Sequence, residues 1–231
     1  MTIPTPIGIL GGTGPLGRGL AARWAQGGLP VLIGSRDPAR ARALADEVRG
    51  WLDGSGAEVT GLPNDAVVDA AGLLAVTVPF EAQAALLGPL AGRIGHRIVI
   101  STAVPLTMAA GTPTPQSVPE GSAALQVARL CPGARVTAAF HTVGAGHLRR
   151  LSHPLDQDVV VTGDDDEARQ VTLELVERIR GARAVDGGAL AAAVFTEHLT
   201  PFLLQLNRRH HARVGLRLAG LPPQEPAPPP A

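Results

Sequence analysis

A glycine-rich turn near the start of the sequence constrains the fold more than any other feature. Residues 12–17 read GTGPLG and match the pattern GxGxxG. They follow an apolar run at 7–10 and open a stretch, 15–26, whose apolar residues recur at helical spacing. In that setting the first glycine permits a tight turn, the second lets the backbone approach a pyrophosphate, and the third lets helix and strand pack closely. The turn therefore predicts a dinucleotide site at the N-terminus of the first helix.

Strands and helices alternate along most of the remaining sequence. The predicted strands are 7–10, 30–34, 57–60, 72–78, 97–101, 135–139, 158–162 and 182–186, and the predicted helices are 15–26, 38–48, 65–70, 81–90, 121–130, 165–180 and 188–206. This alternation indicates an α/β fold with a Rossmann-type, doubly wound parallel sheet. Residues 102–120 hold several prolines and predict a long loop.

The pattern restarts after Phe140 and then ends in a run of prolines. We expect a Rossmann-type dinucleotide-binding domain over 1–140 and a small C-terminal α/β domain over 141–220. Residues 221–231 read LPPQEPAPPPA, which cannot bury enough apolar surface to order itself and predicts a disordered tail.

Composition excludes several classes of protein. The chain has 20 basic and 20 acidic residues, and this balance does not favour nucleic-acid binding, which needs a basic surplus. The lone cysteine, Cys131, cannot form an internal disulfide, no CxxC pair suggests a metal site, and a reducing cytoplasm is expected. No apolar run approaches the roughly 18 residues of a membrane span, so no membrane association is predicted.

The end of the second strand bears on the choice between NAD and NADP. An NAD site usually has Asp or Glu there to hold the ribose hydroxyls. This sequence has Ser35 and Arg36, with Arg40 one helical turn further on. A guanidinium can form a charge-assisted hydrogen bond with a 2′-phosphate, and a serine hydroxyl can donate to the same group, so these residues favour NADP. Asp37 leaves the NAD alternative open, although Asp-Pro at a helix start is more simply an N-cap.

The residues available for proton transfer are few. The chain contains no tyrosine and no lysine, so a Tyr/Lys pair that protonates a carbonyl is excluded. Of the 7 histidines, only His141 directly follows a predicted strand. It could orient a ligand or relay a proton, or it could simply be hydrogen-bonded at a strand end. A second redox cofactor, whose own ring takes the hydride, would need no acid from the protein.

The sequence resembles the F420-dependent NADP reductases, which pass hydride between NADPH and the deazaflavin coenzyme F420. The resemblance runs from residue 7 to about 218 and is carried by GGTGPLGRGLA, IGSR, TVPFE, STAVP, AAFHTV, GDDDEA, AVDGGAL and LTPFLLQLNRR. It implies that the deazaflavin lies in the cleft between the two domains, and that the protein is a homodimer.

Site residues follow from the resemblance, motif by motif. It implies NADP contacts at Gly12, Thr13, Gly14, Pro15 and Leu16 around the pyrophosphate, at Ser35, Arg36 and Arg40 around the 2′-phosphate, and at Phe80, Val104 and Ala145 along the nicotinamide. On the F420 side it implies Pro105, His141, Thr142, Leu206 and Asn207.

One departure from the family pattern concerns the acceptor. Relatives often read HT(I/V)PAA where this chain has His141 followed by TVGAG, and the two added glycines loosen a loop expected beside the nicotinamide. Two alternatives therefore stay open. One is a reductase of an imine or activated alkene that uses F420H2 or NADPH, and the other is a non-enzymatic NADPH sensor that binds a partner through its proline-rich tail.

Basic residues gather in two stretches of the C-terminal half. They are His147, Arg149, Arg150 and His153, and then Arg208, Arg209, His210, His211, Arg213 and Arg217. Coenzyme F420 carries a phosphate and a glutamate tail, which a basic rim would attract. The alternative is a solvated surface at a helix end, where cations suit the helix dipole.

Overall fold

The computed structural model describes residues 2–52 and 56–221. Its strands are β1 (Ile7–Leu10), β2 (Val31–Ser35), β3 (Val59–Pro63), β4 (Leu73–Val76), β5 (Ile98–Ser101), β6 (Leu106–Ala109), β7 (Thr112–Pro115), β8 (Arg135–Ala138), β9 (Gln157–Gly163) and β10 (Ala182–Asp186). Its α-helices are α1 (Pro15–Gln26), α2 (Pro38–Trp51), α3 (Asn64–Ala70), α4 (Phe80–Leu87), α5 (Ala91–Ile94), α6 (Ala123–Leu130), α7 (Ala145–Leu148), α8 (Asp166–Glu177) and α9 (Ala193–His210). Short 3₁₀ turns lie at Gly88–Leu90 and Leu190–Ala192. All but the first residue of the predicted proline-rich tail lies outside the described residues.

Eight of the described strands form one sheet in the order β10-β9-β8-β5-β4-β1-β2-β3. Every pair is parallel except β8 with β9. β1, β4 and β5 are buried along their whole length, which explains their continuous apolar runs. The predicted α/β fold with a Rossmann-type sheet is confirmed.

The strands after residue 140 continue this sheet instead of forming a second one. β9 pairs antiparallel with β8, and β10 pairs parallel with β9. The predicted division of the chain at about residue 140 stays a prediction.

Residues 102–120 differ from the predicted loop, because they contain a β-hairpin. β6 and β7 pair antiparallel, and the two residues between them, Ala110 and Gly111, have φ angles of 47° and 77°. Two positive φ angles are typical of a two-residue hairpin turn. Prolines at positions 113 and 115 hid the second strand from sequence analysis, because proline is rare in strands other than edge strands.

Apolar clusters cover both faces of the sheet. One contains Trp24 of α1, whose ring meets that of Phe140 edge to face at a centroid distance of 5.8 Å. The other packs α3, α4 and α6 beneath the sheet. Among the described helices, none is both long and apolar enough to span a membrane.

Candidate functional site

The turn between β1 and α1 has the geometry that its glycines predict. A Cβ atom on Gly17 would lie 2.6 Å from the Cα of Gly12, so only glycine lets α1 approach the strand this closely. At Gly14, no atom lies within 4 Å of the place a Cβ would occupy. Gly14 is also the N-cap of α1, and it offers no side chain to the free backbone N–H groups there. The turn thus presents open backbone to an anion.

Asn64 joins this turn to the neighbouring strand–helix unit. Its Oδ1 atom accepts a hydrogen bond of 3.0 Å from the backbone N–H of Gly11. Asn64 is the first residue of α3, which has Pro63 at its N-cap, and its buried amide braces the glycine turn. Sequence analysis missed this role because the partner lies 53 residues away.

At the end of β2, Asp37 caps α2 as its simpler interpretation predicts. Its Oδ1 accepts hydrogen bonds from the backbone N–H groups of Ala39 (2.9 Å) and Arg40 (3.3 Å). Ser35 Oγ accepts from the N–H of Asp37 at 3.1 Å, which leaves the hydroxyl hydrogen available to donate. Arg36 and Arg40 are exposed, and neither guanidinium has a hydrogen bond or ion pair with any described residue. Together these groups suit a phosphate.

A cavity of about 660 Å³ connects the turn with these cations. Its lining residues are Gly11, Thr13, Gly14, Ser35, Arg36, Asp37, Arg40, Asn64, Thr77, Val78, Pro79, Ala82, Ala85 and Leu86. Val78 and Pro79, just before α4, and Ala82, Ala85 and Leu86 within it form an apolar wall. Sequence analysis missed the last three, although their spacing along one helix face was the available signal. One wall is apolar and the other cationic, an arrangement that suits a planar base beside a ribose phosphate.

The other predicted site residues lie at the carboxyl ends of neighbouring strands or on α9. Gly12, Pro15 and Leu16 follow β1, Phe80 begins α4, Val104 and Pro105 follow β5, His141 and Thr142 follow β8, Ala145 begins α7, and Leu206 and Asn207 belong to α9. Because β1, β4, β5 and β8 are adjacent and parallel, the segments that follow them meet at one edge of the sheet. None of these residues lines the cavity described above.

His141 is a neutral imidazole. It is buried, and burial lowers its pKa to about 4. Its Nδ1 lies 3.1 Å from Thr196 Oγ1, and that hydroxyl also lies 3.0 Å from the carbonyl of Ala193. Nε2 has no partner among the described residues, so this nitrogen is open to a ligand. At neutral pH this imidazole does not serve as an acid.

Asn207 is already engaged by the chain. Its Oδ1 accepts from the backbone N–H of Val214 at 2.6 Å, which folds the segment after α9 back onto the helix. Only its amide N–H groups remain for a ligand. Within residues 2–52 and 56–221, no cluster of three or more His, Cys, Asp or Glu side chains is placed to hold a metal ion.

Comparison with known proteins gives a consistent result. Residues 6–105 match a family model described as NADP oxidoreductase, coenzyme F420-dependent. Over 95% of its length the chain is 37% identical to an F420-dependent NADP reductase of Methanothermobacter thermautotrophicus, of which it covers 97%. The corresponding reductase of Methanothermobacter marburgensis is 36% identical, over 94% of this chain and 99% of that one. A crystal structure from Arthrobacter sp. FB24, provisionally named an F420-dependent NADP reductase, superposes with a TM-score of 0.78 at 27% identity, covering 92% of this chain and 98% of that one.

Proposed function

The chain belongs to the family of F420-dependent NADP reductases, and we propose that it transfers a hydride between NADP(H) and coenzyme F420 by direct contact of the two rings. The observation that carries this proposal is full-length similarity to reductases of that name. The cavity supports the NADP half independently, because open glycine backbone and two unpaired guanidinium groups line the same space.

In this proposal, residues 1–140 hold NADP(H) and residues 141–220 complete the acceptor side. Gly12, Thr13, Gly14, Pro15 and Leu16 hold the pyrophosphate, Ser35, Arg36 and Arg40 hold the 2′-phosphate, and Phe80, Val104 and Ala145 lie along the nicotinamide. Pro105, His141, Thr142, Leu206 and Asn207 contact F420. When bound, the nicotinamide and the deazaflavin rings supply and accept the hydride.

The chemistry of the protein side agrees with a ring-to-ring transfer. The chain has no tyrosine or lysine to protonate a substrate, and burial keeps His141 neutral at pH 7. What the protein contributes is orientation of two rings and exclusion of water. The named relatives favour this cofactor pair over the imine or alkene reductase and over the NADPH sensor.

The test is spectroscopic. The purified protein is mixed with NADPH and oxidised F420, and the visible absorbance of F420 is followed. We expect the absorbance to fall with NADPH and far less with NADH at the same concentration. A folded protein that binds NADP but leaves the absorbance unchanged at every pH tried would refute the proposed function.

We also propose a homodimer that uses the exposed face of α9. Phe195 and Phe202 are 75% and 54% exposed, and they lie seven residues apart, about two helical turns, on one face. Large aromatic side chains exposed together usually mark an interface. Sedimentation should give a dimer mass, and Phe195→Asp should shift it towards the monomer; a monomeric parent protein would contradict this.

A cytoplasmic location is proposed as well, because the single buried thiol of Cys131 suits a reducing compartment.

A further inference from the structure

Three basic side chains come together beside α7. His147 lies in α7, Arg150 follows it, and Arg213 comes from the segment after α9. A Cβ atom on Gly146 would lie only 3.1 Å from Nη1 of Arg213, so this glycine lets the guanidinium rest against the α7 backbone. After burial, the charges of Arg150 and Arg213 are the causes that lower the pKa of His147. The three groups therefore share one electrostatic neighbourhood.

Other members of the two basic stretches already have partners. The guanidinium of Arg149 stacks over Trp51, Arg208 donates to the carbonyl of Gly111, Arg217 pairs with Asp156 at 3.2 Å, and His153 Nδ1 meets Ser152 Oγ at 2.9 Å. By contrast, the guanidinium groups of Arg150 and Arg213 have no hydrogen bond or ion pair with any residue that the structure describes. The nearby carboxylate of Asp158 is held by Arg183 at 2.5 Å. The positive charge at these two arginines is thus uncompensated.

His147 adds a neutral donor to this pair. Its Nδ1 accepts from Nε2 of Gln157 at 2.5 Å. Because its pKa lies below the ordinary value, the ring is neutral at pH 7 and carries its hydrogen on Nε2. Two guanidinium groups and one imidazole N–H are all donors, which is the chemistry that binds phosphate and carboxylate oxygens.

The backbone beneath this cluster is held in place by a buried cation. Arg23 of α1 is 1% exposed and donates to four carbonyl oxygens of the following turn, those of His147 (3.0 Å), Leu148 (2.9 Å), Arg150 (2.8 Å) and His153 (2.9 Å). On the other side, Asn207 fixes the backbone of Val214, next to Arg213. The basic side chains therefore project from two braced segments, so less conformational entropy is lost when they bind.

We propose that His147, Arg150 and Arg213 form an acceptor-tail site, which binds the phosphate and glutamate carboxylates of coenzyme F420. This rests on the proposed function. The site begins two residues after Ala145, which we place beside the nicotinamide, and Arg150 also lines a surface pocket with Trp51, the last residue of α2. The proposal requires the tail of F420 to extend from the ring to this cluster. It is separate from the 2′-phosphate cations, which follow β2, because three strands (β5, β4 and β1) lie between β2 and β8 in the sheet.

The experiment compares F420 with a tail-less deazaflavin that keeps the ring but lacks phosphate and glutamates. Arg213→Ala and Arg150→Ala are measured against Arg217→Ala, a matched control in the same segment whose guanidinium is paired with Asp156. We expect each of the first two variants to raise the KM for F420 roughly tenfold, the scale of one charge-assisted contact, while the KM for the tail-less acceptor and for NADPH stays near the parent value.

Equilibrium binding supplies a readout that does not depend on turnover. Fluorescence titration of oxidised F420 should give a Kd that rises with added salt in the parent protein and much less so in Arg213→Ala. Equal changes for both acceptors, or no change for F420, would overturn the acceptor-tail site. Failure of the parent protein to reduce either acceptor would instead overturn the proposed function, and the two failures are thereby distinguished.

Discussion

Replacing Arg23 tests whether a buried guanidinium without a carboxylate partner stabilises this fold. Arg23→Met keeps most of the apolar volume but removes the four hydrogen bonds to residues 147–153. Bonds from a charged donor contribute about 1.5–3 kcal/mol each, which would sum to roughly 6–12 kcal/mol. That sum is too large, because burial of the cation, which also lowers its pKa, costs several kcal/mol and the freed carbonyls regain water. We therefore expect a loss of about 3–5 kcal/mol in the free energy of unfolding.

The assay is urea denaturation followed by tryptophan fluorescence, since the buried Trp24 neighbours Arg23 in α1. A loss of that size lowers the thermal midpoint by roughly 10 °C in a chain of this length. Arg23→Lys should show an intermediate loss of stability, because an ammonium keeps the charge but cannot donate to four carbonyls at once as the planar guanidinium does. Gln26→Ala, which removes one exposed bond of 3.2 Å to Leu151, should cost about 1 kcal/mol or less. A loss below about 1 kcal/mol for Arg23→Met would show that the four hydrogen bonds contribute almost no net stability and that the reasoning is wrong.

Three further outcomes are expected. Arg36→Ala should weaken NADP binding by about 1.5–3 kcal/mol and leave NAD binding nearly unchanged, as measured by titration; equal losses would contradict the 2′-phosphate role. Gly17→Ala should lower both the thermal midpoint and NADP affinity, since its Cβ would lie 2.6 Å from Gly12. Gly14→Ala, with open space around it, should lower NADP affinity alone. An unchanged thermal midpoint for Gly17→Ala would contradict this prediction. Burial raises the pKa of Glu197 from 4.5 to about 7, so the folded protein binds its proton more tightly than the unfolded chain does, and stability should fall as the pH rises between those values. In Glu197→Gln the denaturation midpoint should no longer fall over this pH range. If it falls as much as in the parent protein, other groups cause the pH dependence.

The features that sequence analysis predicted correctly are local ones. The glycine turn, the cap at Asp37 and the order of strands and helices each depend on residues a few positions apart. Short-range sterics and hydrogen bonds decide them, so the printed sequence contains the needed information.

Apart from the hairpin of β6 and β7, what sequence analysis missed depends on distant pairs. Arg23 lies in an amphipathic helix, where an arginine is normally solvated, and its acceptors come 124 to 130 residues later. The amide of Asn64 and the apolar wall along α4 become site residues only through the register of adjacent strands. The neutral state of His141 likewise follows from burial, which a sequence pattern does not reveal.

The join between β8 and β9 has a consequence for which substitutions leave the cavity unchanged. Only two residue pairs make that antiparallel junction, Thr137 with Gly163 and Ala138 with Thr162, while β5 and β8 align over four. The unit β9–α8–β10 thus joins the sheet along a narrow seam, beyond the region 6–105 that the family model spans, although its apolar side chains share one core with α1. Substitutions within that unit can leave the walls of the cavity beside β1 and β2 unchanged, because none of the residues that line it belongs to β9, α8 or β10.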